Sequence, residues 1–362
     1  MRCYRLLVFT CVALLLTSQF SCTPKPTINF NDPHIRYTGR IGLKDDAAEL
    51  SWTASSAIIN FKGTGVTAVL NDTKGYDLLT IVVDGKVVNT IQPKRGKYKN
   101  YQLISALPDT IHRLELFKRT EAENGTLLLR GFSIEGSGTL LPPPTFKHRI
   151  EFYGNSITCG FSLEDPEGKD RGDYGYENGF LSYANLTARH FDAEYYCIAK
   201  SGIGVTVSWS PNIMPELYAR VNVDDTTRLW DFNKYTPELV VVNLFQNDYH
   251  LVDLKDHKEF KHRFGSTPPK PDFLIAKYKE FIQTIRSKYP NTKIICAMGS
   301  MDSVEPGSPF PGYVEKAVAE LKDKNIYTLF FPYLGAHRHP NAGEHRVMAK
   351  QLIDFIHEKF GW

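Results

Sequence analysis

The residues Gly136-Ser137-Gly138 and Pro142-Pro143-Pro144 divide this sequence into two parts that obey different periods. A proline triplet removes three backbone donors and fixes three φ angles, so neither a helix nor a central strand can run through it. Upstream, from 27 to 141, short apolar runs alternate with turn signals and show almost no helical period. Leu78 to Ile91 is the clearest case: two apolar runs flank Asp84-Gly85-Lys86, which its turn chemistry makes a hairpin. A second hairpin is expected from Leu114 to Phe117, the turn Asn124-Gly125, and Leu127 to Ile134. Strands this short and closely spaced predict a β-sandwich of the jelly-roll kind.

Downstream, over 147–362, the pattern changes class. Apolar strands at about 149–153, 194–199, 239–244, 293–298 and 326–331 alternate with helical stretches at about 179–191, 273–288, 313–323 and 344–359. Strand, helix and strand in succession predict a five-stranded parallel sheet covered on both faces. In the last helix Met348, Leu352, Phe355, Ile356 and Phe360 recur at three and four residues, as a core-facing stripe does. With 362 residues, 42% of them hydrophobic, the chain can fill two cores.

The first 22 residues carry a basic start (Arg2, Arg5), an apolar stretch from Leu6 to Leu16, and small residues near Ser21-Cys22, the layout of a secretory leader. Cys22, followed by Thr23-Pro24-Lys25-Pro26, resembles the lipid-modified first residue of a bacterial lipoprotein. That implies export to the periplasm or cell envelope and a membrane link through the anchor alone; Gln19 departs from the apolar residue expected there and leaves a soluble secreted product as the alternative. The 43 basic against 40 acidic residues give no support to nucleic-acid binding. Past Cys22 the cysteines are Cys159, Cys197 and Cys296, each on or beside an expected core strand. They read as buried free thiols, and no spacing suggests a metal site.

Ligands of parallel α/β sheets bind beyond the carboxyl ends of the strands. Four such ends carry chemistry. Gly154-Asn155-Ser156 offers a hydroxyl on a tight turn, which needs a nearby base and donors for an oxyanion to act as a nucleophile. Lys200-Ser201-Gly202-Ile203-Gly204 offers a backbone N–H unhindered by a side chain. Val240 to Val242 runs into Asn243-Leu244-Phe245-Gln246-Asn247-Asp248, where an amide can donate to an oxyanion. Finally, His337-Arg338-His339-Pro340 precedes the last helix, and a histidine there suits a general base. Each block alone reads equally as a turn, a cap or a loop.

Their order resembles that of the SGNH (GDSL-type) hydrolases, whose named residues would be Ser156, Gly202, Asn247 and His339. Longer stretches, Met214-Pro215-Glu216-Leu217-Tyr218, Trp230-Asp231-Phe232 and Tyr235 to Val242, together with the preceding sandwich, resemble carbohydrate esterase family 2 over nearly the whole mature chain. The resemblance implies a jelly roll joined to an SGNH domain that removes acetyl groups from plant polysaccharides such as xylan and mannan-type glycans. It implies Ser156 as nucleophile and His339 as base. The N–H groups of Ser156 and Gly202 and the Asn247 amide would form the oxyanion hole, with no cofactor.

Three departures qualify that resemblance. Gly-Asp-Ser becomes Gly-Asn-Ser; Phe245 stands where glycine is usual, which predicts a narrower pocket; and no carboxylate precedes His339 at the expected spacing. A Ser-His dyad, or Asp302 or Glu344 acting from elsewhere, would answer the last. The charged loop Glu164 to Glu177 reads as solvated surface. Trp209 and Tyr249 (or His250) are candidates for stacking on a sugar ring. Two other functions fit the same residues: an esterase or lipase acting on a different ester, and a carbohydrate-binding protein with an inactive hydrolase domain.

Overall fold

The computed structural model describes residues 25–335 and 337–362; the leader and Cys22 lie outside them. Two antiparallel sheets of six strands each form the sandwich. The first runs Ile41–Lys44, Ala47–Leu50, Leu127–Glu135, Gly65–Asp72, Lys99–Ile104, with Ile28–Asn29 added beside Leu127–Glu135. The second runs Thr139–Leu140, Ser56–Gly63, Thr110–Lys118, Leu79–Val83, Lys86–Ile91, with Arg36–Thr38 beside Ser56–Gly63. Alternate residues such as Ile59, Phe61, Leu114 and Leu116 meet Ala68, Leu70, Leu127 and Leu129 in a buried core, as the two-residue period requires.

The hairpin at Asp84-Gly85 forms as expected, both turn residues at positive φ (50° and 79°). The second expected hairpin does not. Thr110–Lys118 pairs with Ser56–Gly63 and Leu79–Val83 in one sheet, while Leu127–Glu135 pairs with Gly65–Asp72 and Ala47–Leu50 in the other. Asn124-Gly125 has turn chemistry, but the segment 119–126 crosses between sheets, and its Arg119, Glu121 and Asn124 side chains reach the second half of the molecule.

There, five parallel strands run in the order Ala193–Ala199, His148–Gly154, Leu239–Asn243, Lys293–Met298, Ile326–Phe330. In chain order this is 2-1-3-4-5, so the direction of winding reverses between the first and third strands. Leu239–Asn243 is buried throughout because helices cover both faces. Val240 and Val242 face the helices Pro271–Lys288 and Phe310–Leu321, whereas Leu239 and Val241 face Tyr183–His190 and Ala342–Phe360. Met348, Leu352 and Ile356 of the last helix are fully buried, each contributing about 1.5–3 kcal/mol. The three cysteines are free and buried. No helix among the described residues is long and apolar enough to cross a membrane.

The sandwich docks on the edge strand Ala193–Ala199. Arg36 pairs with Glu194 at the start of that strand (2.7 Å). Arg40, 1% exposed, reaches the adjacent strand and donates to Glu151 Oε1 and Tyr153 Oη, both at 2.9 Å. Trp52 and Phe117 complete the contact by joining the cores on either face of the parallel sheet.

Candidate active site

Ser156 opens a one-turn helix, Ser156–Cys159, directly after the first parallel strand. Asn155 caps that turn, its Oδ1 accepting from Ile157 N–H at 3.0 Å. Gly154 permits the turn: a Cβ there would lie 2.0 Å from Thr158 Oγ1. These constraints present the hydroxyl at the winding reversal, and Ser156 Oγ lies 2.7 Å from His339 Nε2.

His339 is held from its other side by a residue that the sequence did not single out. Its Nδ1 lies 2.9 Å from Asp170 Oδ2, and its backbone N–H donates to both Asp170 carboxylate oxygens at 3.0 Å. Asp170 belongs to the charged loop expected to be solvated surface; instead its carboxylate is turned onto His339. Asp302 instead pairs with His337 (2.9 Å), and Glu344 pairs with Arg338 while closing a capping box with Asn341 at the last helix. Neither is the partner of His339. Burial opposes ionisation of Asp170, but the hydrogen bonds and charge of His339, together with Arg338, outweigh it and hold the carboxyl below its ordinary range. The loop is itself organised: Asp165, buried, accepts from the backbone N–H groups of Glu167, Lys169 and Arg171 and from the Arg171 guanidinium. Sequence periodicity cannot find a contact 169 residues away. One available signal was length, since long irregular loops inside compact domains are usually functional.

The groups expected to form an oxyanion hole stand at the neighbouring strand ends. Gly202 adopts φ +73°, and a Cβ would press on Trp209 (3.1 Å to its Cβ), so only glycine suits the position. Its carbonyl accepts from Trp209 N–H at 2.9 Å. Among the described residues, neither the Ser156 nor the Gly202 N–H has an acceptor within the protein. Asn247 is tied at both atoms of its amide: Nδ2 donates to Ile203 O (2.8 Å) and Oδ1 accepts from Trp209 Nε1–H (3.1 Å). One Nδ2 hydrogen is left uncommitted. Asp248, fully buried, accepts from the N–H groups of Val205, Thr206 and Val207 and from the Thr206 hydroxyl, which shapes the loop after Gly202. Burial pushes its carboxyl up, opposed by those hydrogen bonds.

Trp209 is therefore a site neighbour, 45% exposed, with its indole on the Asn247 amide. Tyr249 stands two residues past Asn247, off its helix face, and donates to Glu305 Oε1 at 2.7 Å. The imidazole of His250, pushed down by burial, meets Gln246 Nε2 at 3.2 Å. Phe245 does not narrow the pocket. It keeps the left-handed backbone of a glycine position (φ +82°), and its fully buried ring turns into the core against Tyr278 and Phe310. A phenylalanine at that φ costs about 1–2 kcal/mol, which its burial offsets. Among the described residues no group of three His, Cys, Asp or Glu side chains is arranged to hold a metal ion.

A serine hydrogen-bonded to an imidazole, the imidazole to a carboxylate, and unspent N–H donors one strand away on either side can support acyl transfer. The sandwich and the 2-1-3-4-5 sheet define a jelly roll joined to an SGNH-type α/β domain. Residues 37–144 match the model of the carbohydrate esterase 2 N-terminal region. The structure of a family two carbohydrate esterase from Clostridium thermocellum in complex with cellohexaose superposes with a TM-score of 0.80 at 30% identity, covering 91% of this chain and 99% of that one. The chain belongs to carbohydrate esterase family 2. Cellulase/esterase CelE of Acetivibrio thermocellus is 31% identical over 347 residues, 92% of this chain; the match spans 40% of that relative's length. An acetylxylan esterase / glucomannan deacetylase of Cellvibrio japonicus is 23% identical over 348 residues, 93% of this chain and 92% of that protein.

Proposed function

We propose that this protein is a carbohydrate O-acetyl esterase acting on acetylated plant polysaccharides of the xylan and mannan type. The observation that carries the reading is the unbroken relay Ser156 Oγ, His339, Asp170 at 2.7 and 2.9 Å, in a chain whose relatives are carbohydrate esterases. In this reading Ser156 attacks the acetyl carbonyl while His339 Nε2 takes its proton, and Asp170 stabilises the imidazolium that results. The carbonyl oxygen becomes an oxyanion facing the N–H groups of Ser156 and Gly202 and the free Nδ2 hydrogen of Asn247. Collapse expels the sugar hydroxyl, protonated by His339, and leaves acetyl-Ser156. Water, deprotonated by His339, then releases acetate. None of these steps calls on a cofactor.

Acetate release from acetylated xylan, acetylated glucomannan and p-nitrophenyl acetate tests the proposal, with Ser156→Ala alongside. Wild type should release acetate from at least one glycan, and Ser156→Ala should fall by about 10⁴-fold or more. Glycan binding without acetate release from any substrate would mean a binding protein; unaltered turnover in Ser156→Ala would remove the nucleophile. Export and tethering through Cys22 belong to the same proposal and rest on the leader pattern of residues 1–22. Labelled fatty acid should be incorporated in a bacterial host and lost in Cys22→Ser; equal labelling of both would end the anchor assignment.

A further inference from the structure

The segment of the sandwich between Thr110–Lys118 and Leu127–Glu135 is anchored in the sandwich, for instance by Thr120 Oγ1 donating to Asp77 Oδ1 (2.9 Å), and from there reaches the site. Glu121, 2% exposed, accepts from Ser201 N–H (2.8 Å) on one carboxylate oxygen and from the Ser201 hydroxyl (2.5 Å) on the other. Ser201 immediately precedes Gly202. The peptide that carries the Gly202 N–H is thereby bracketed: Glu121 fixes the residue before it, and Trp209 N–H fixes the carbonyl after it. Glycine at φ +73° gives this peptide little resistance of its own to rotation.

The same segment grips the loop that carries Asp170. Glu121 N–H (3.1 Å) and Asn124 Nδ2 (2.7 Å) donate to the Glu177 carboxylate. Arg119 donates to Glu177 O (2.7 Å) and Gly175 O (3.0 Å) and pairs with Glu164. Glu123 pairs with Lys200. By contrast, Arg36 ties the sandwich to Glu194, at the opposite end of the strand that leads into Ser201.

We propose that Glu121 is a positioning residue for the oxyanion hole: the sandwich, through this carboxylate, holds the Gly202 N–H in the orientation that the reaction needs. The inference rests on the esterase reading and on Gly202 as an oxyanion donor. It makes the sandwich a part of the hydrolytic machinery, because Glu121 lies outside the α/β domain altogether.

The test compares Glu121→Ala, Glu121→Gln and Arg36→Ala in the full chain, by acetate-release kinetics and by hydrogen exchange of the segment 200–209. Glu121→Ala should lose about 10- to 100-fold in kcat with KM within about 3-fold, since the negative charge on the oxygen is absent in the bound ester and develops only as the tetrahedral species forms. Exchange at 200–209 should rise with it. Glutamine keeps an acceptor for Ser201 N–H and can donate to its hydroxyl, so Glu121→Gln should retain most of the rate. Arg36→Ala loosens the same seam at the remote end and should leave kcat and 200–209 exchange unchanged. Wild-type kcat in Glu121→Ala, or losses equal to those of Arg36→Ala, would overturn the positioning role while leaving the esterase reading intact. If Glu121→Ala does not fold, the same outcomes are read from Glu121→Gln against a bulkier Glu121→Met. A wild type that releases no acetate overturns the esterase reading and the positioning role with it.

Discussion

Ser156 stands between two walls built in opposite ways. On the oxyanion side the polar groups are buried and doubly tied: Asn247 by Ile203 and Trp209, the loop after Gly202 by Asp248, and Ser201 by Glu121. On the acid–base side the working groups sit in irregular chain at the rim. The side chains of His339 and Asp170 are 17% and 28% exposed, and the neighbouring His337 is 76% exposed. The proposed chemistry would account for the difference. Fixed dipoles stabilise developing charge best where water is excluded and nothing has to reorient. A base that takes a proton from serine and later from water needs access to solvent.

Breaking one wall at a time separates the two, with the larger loss expected on the acid–base side. In Asp170→Asn, the two N–H groups of His339 compete for one amide oxygen. If the backbone N–H keeps it, the new NH₂ faces Nδ1, drives the ring proton to Nε2, and leaves no base for Ser156. A fall in kcat of about 10²–10⁴ follows, with KM on a small ester little changed. Retention of more than about a third of wild-type kcat would show that His339 works as a dyad with Ser156. Asn247→Ala removes one donor and should cost about 10²–10³ in kcat. A loss confined to KM would instead mean that Asn247 binds substrate without favouring the transition state.

The walls also differ in how far the sequence discloses them. Parallel strands buried on both faces read as apolar runs, and Ser156, Gly202 and Asn247 each lie within a few residues of where such a run stops. Asp170 lies in a loop with no period, and its contact with His339 closes only across a separation of 169 residues. The segment 119–126 failed differently. Asn124-Gly125 signals a turn, but strand pairing is decided by partners 47 to 70 residues upstream, Gly65–Asp72 for one strand and Ser56–Gly63 for the other. Phe245 shows a third limit: its type suggested bulk in the pocket, whereas its left-handed backbone sends the ring into the core.

Buried titratable groups give the walls opposite responses to pH. Behind the acid–base wall, His345 is fully buried, accepts from Tyr183 N–H at Nδ1 (3.1 Å), and is pushed down to about 3 by burial and then by His339. An unfolded histidine titrates near 6.5. Between those values the unfolded chain binds a proton that the folded chain refuses, so stability falls as pH drops below about 6.5. The slope approaches about 1.4 kcal/mol per pH unit. Asp248, behind the oxyanion wall, is raised by burial. Its contribution is complete below the unfolded carboxylate range and is lost as pH rises through its folded value, the reverse sense. Urea midpoints of wild type and His345→Asn between pH 4.5 and 7 isolate the first response. Asparagine keeps an acceptor for Tyr183 N–H but cannot charge, so this variant should lose close to one proton's worth of acid slope even if it is less stable at neutral pH. Parallel curves for the two proteins would mean that acid enters the molecule elsewhere, and that the base of this wall is not the drier, less chargeable support that His345 makes it.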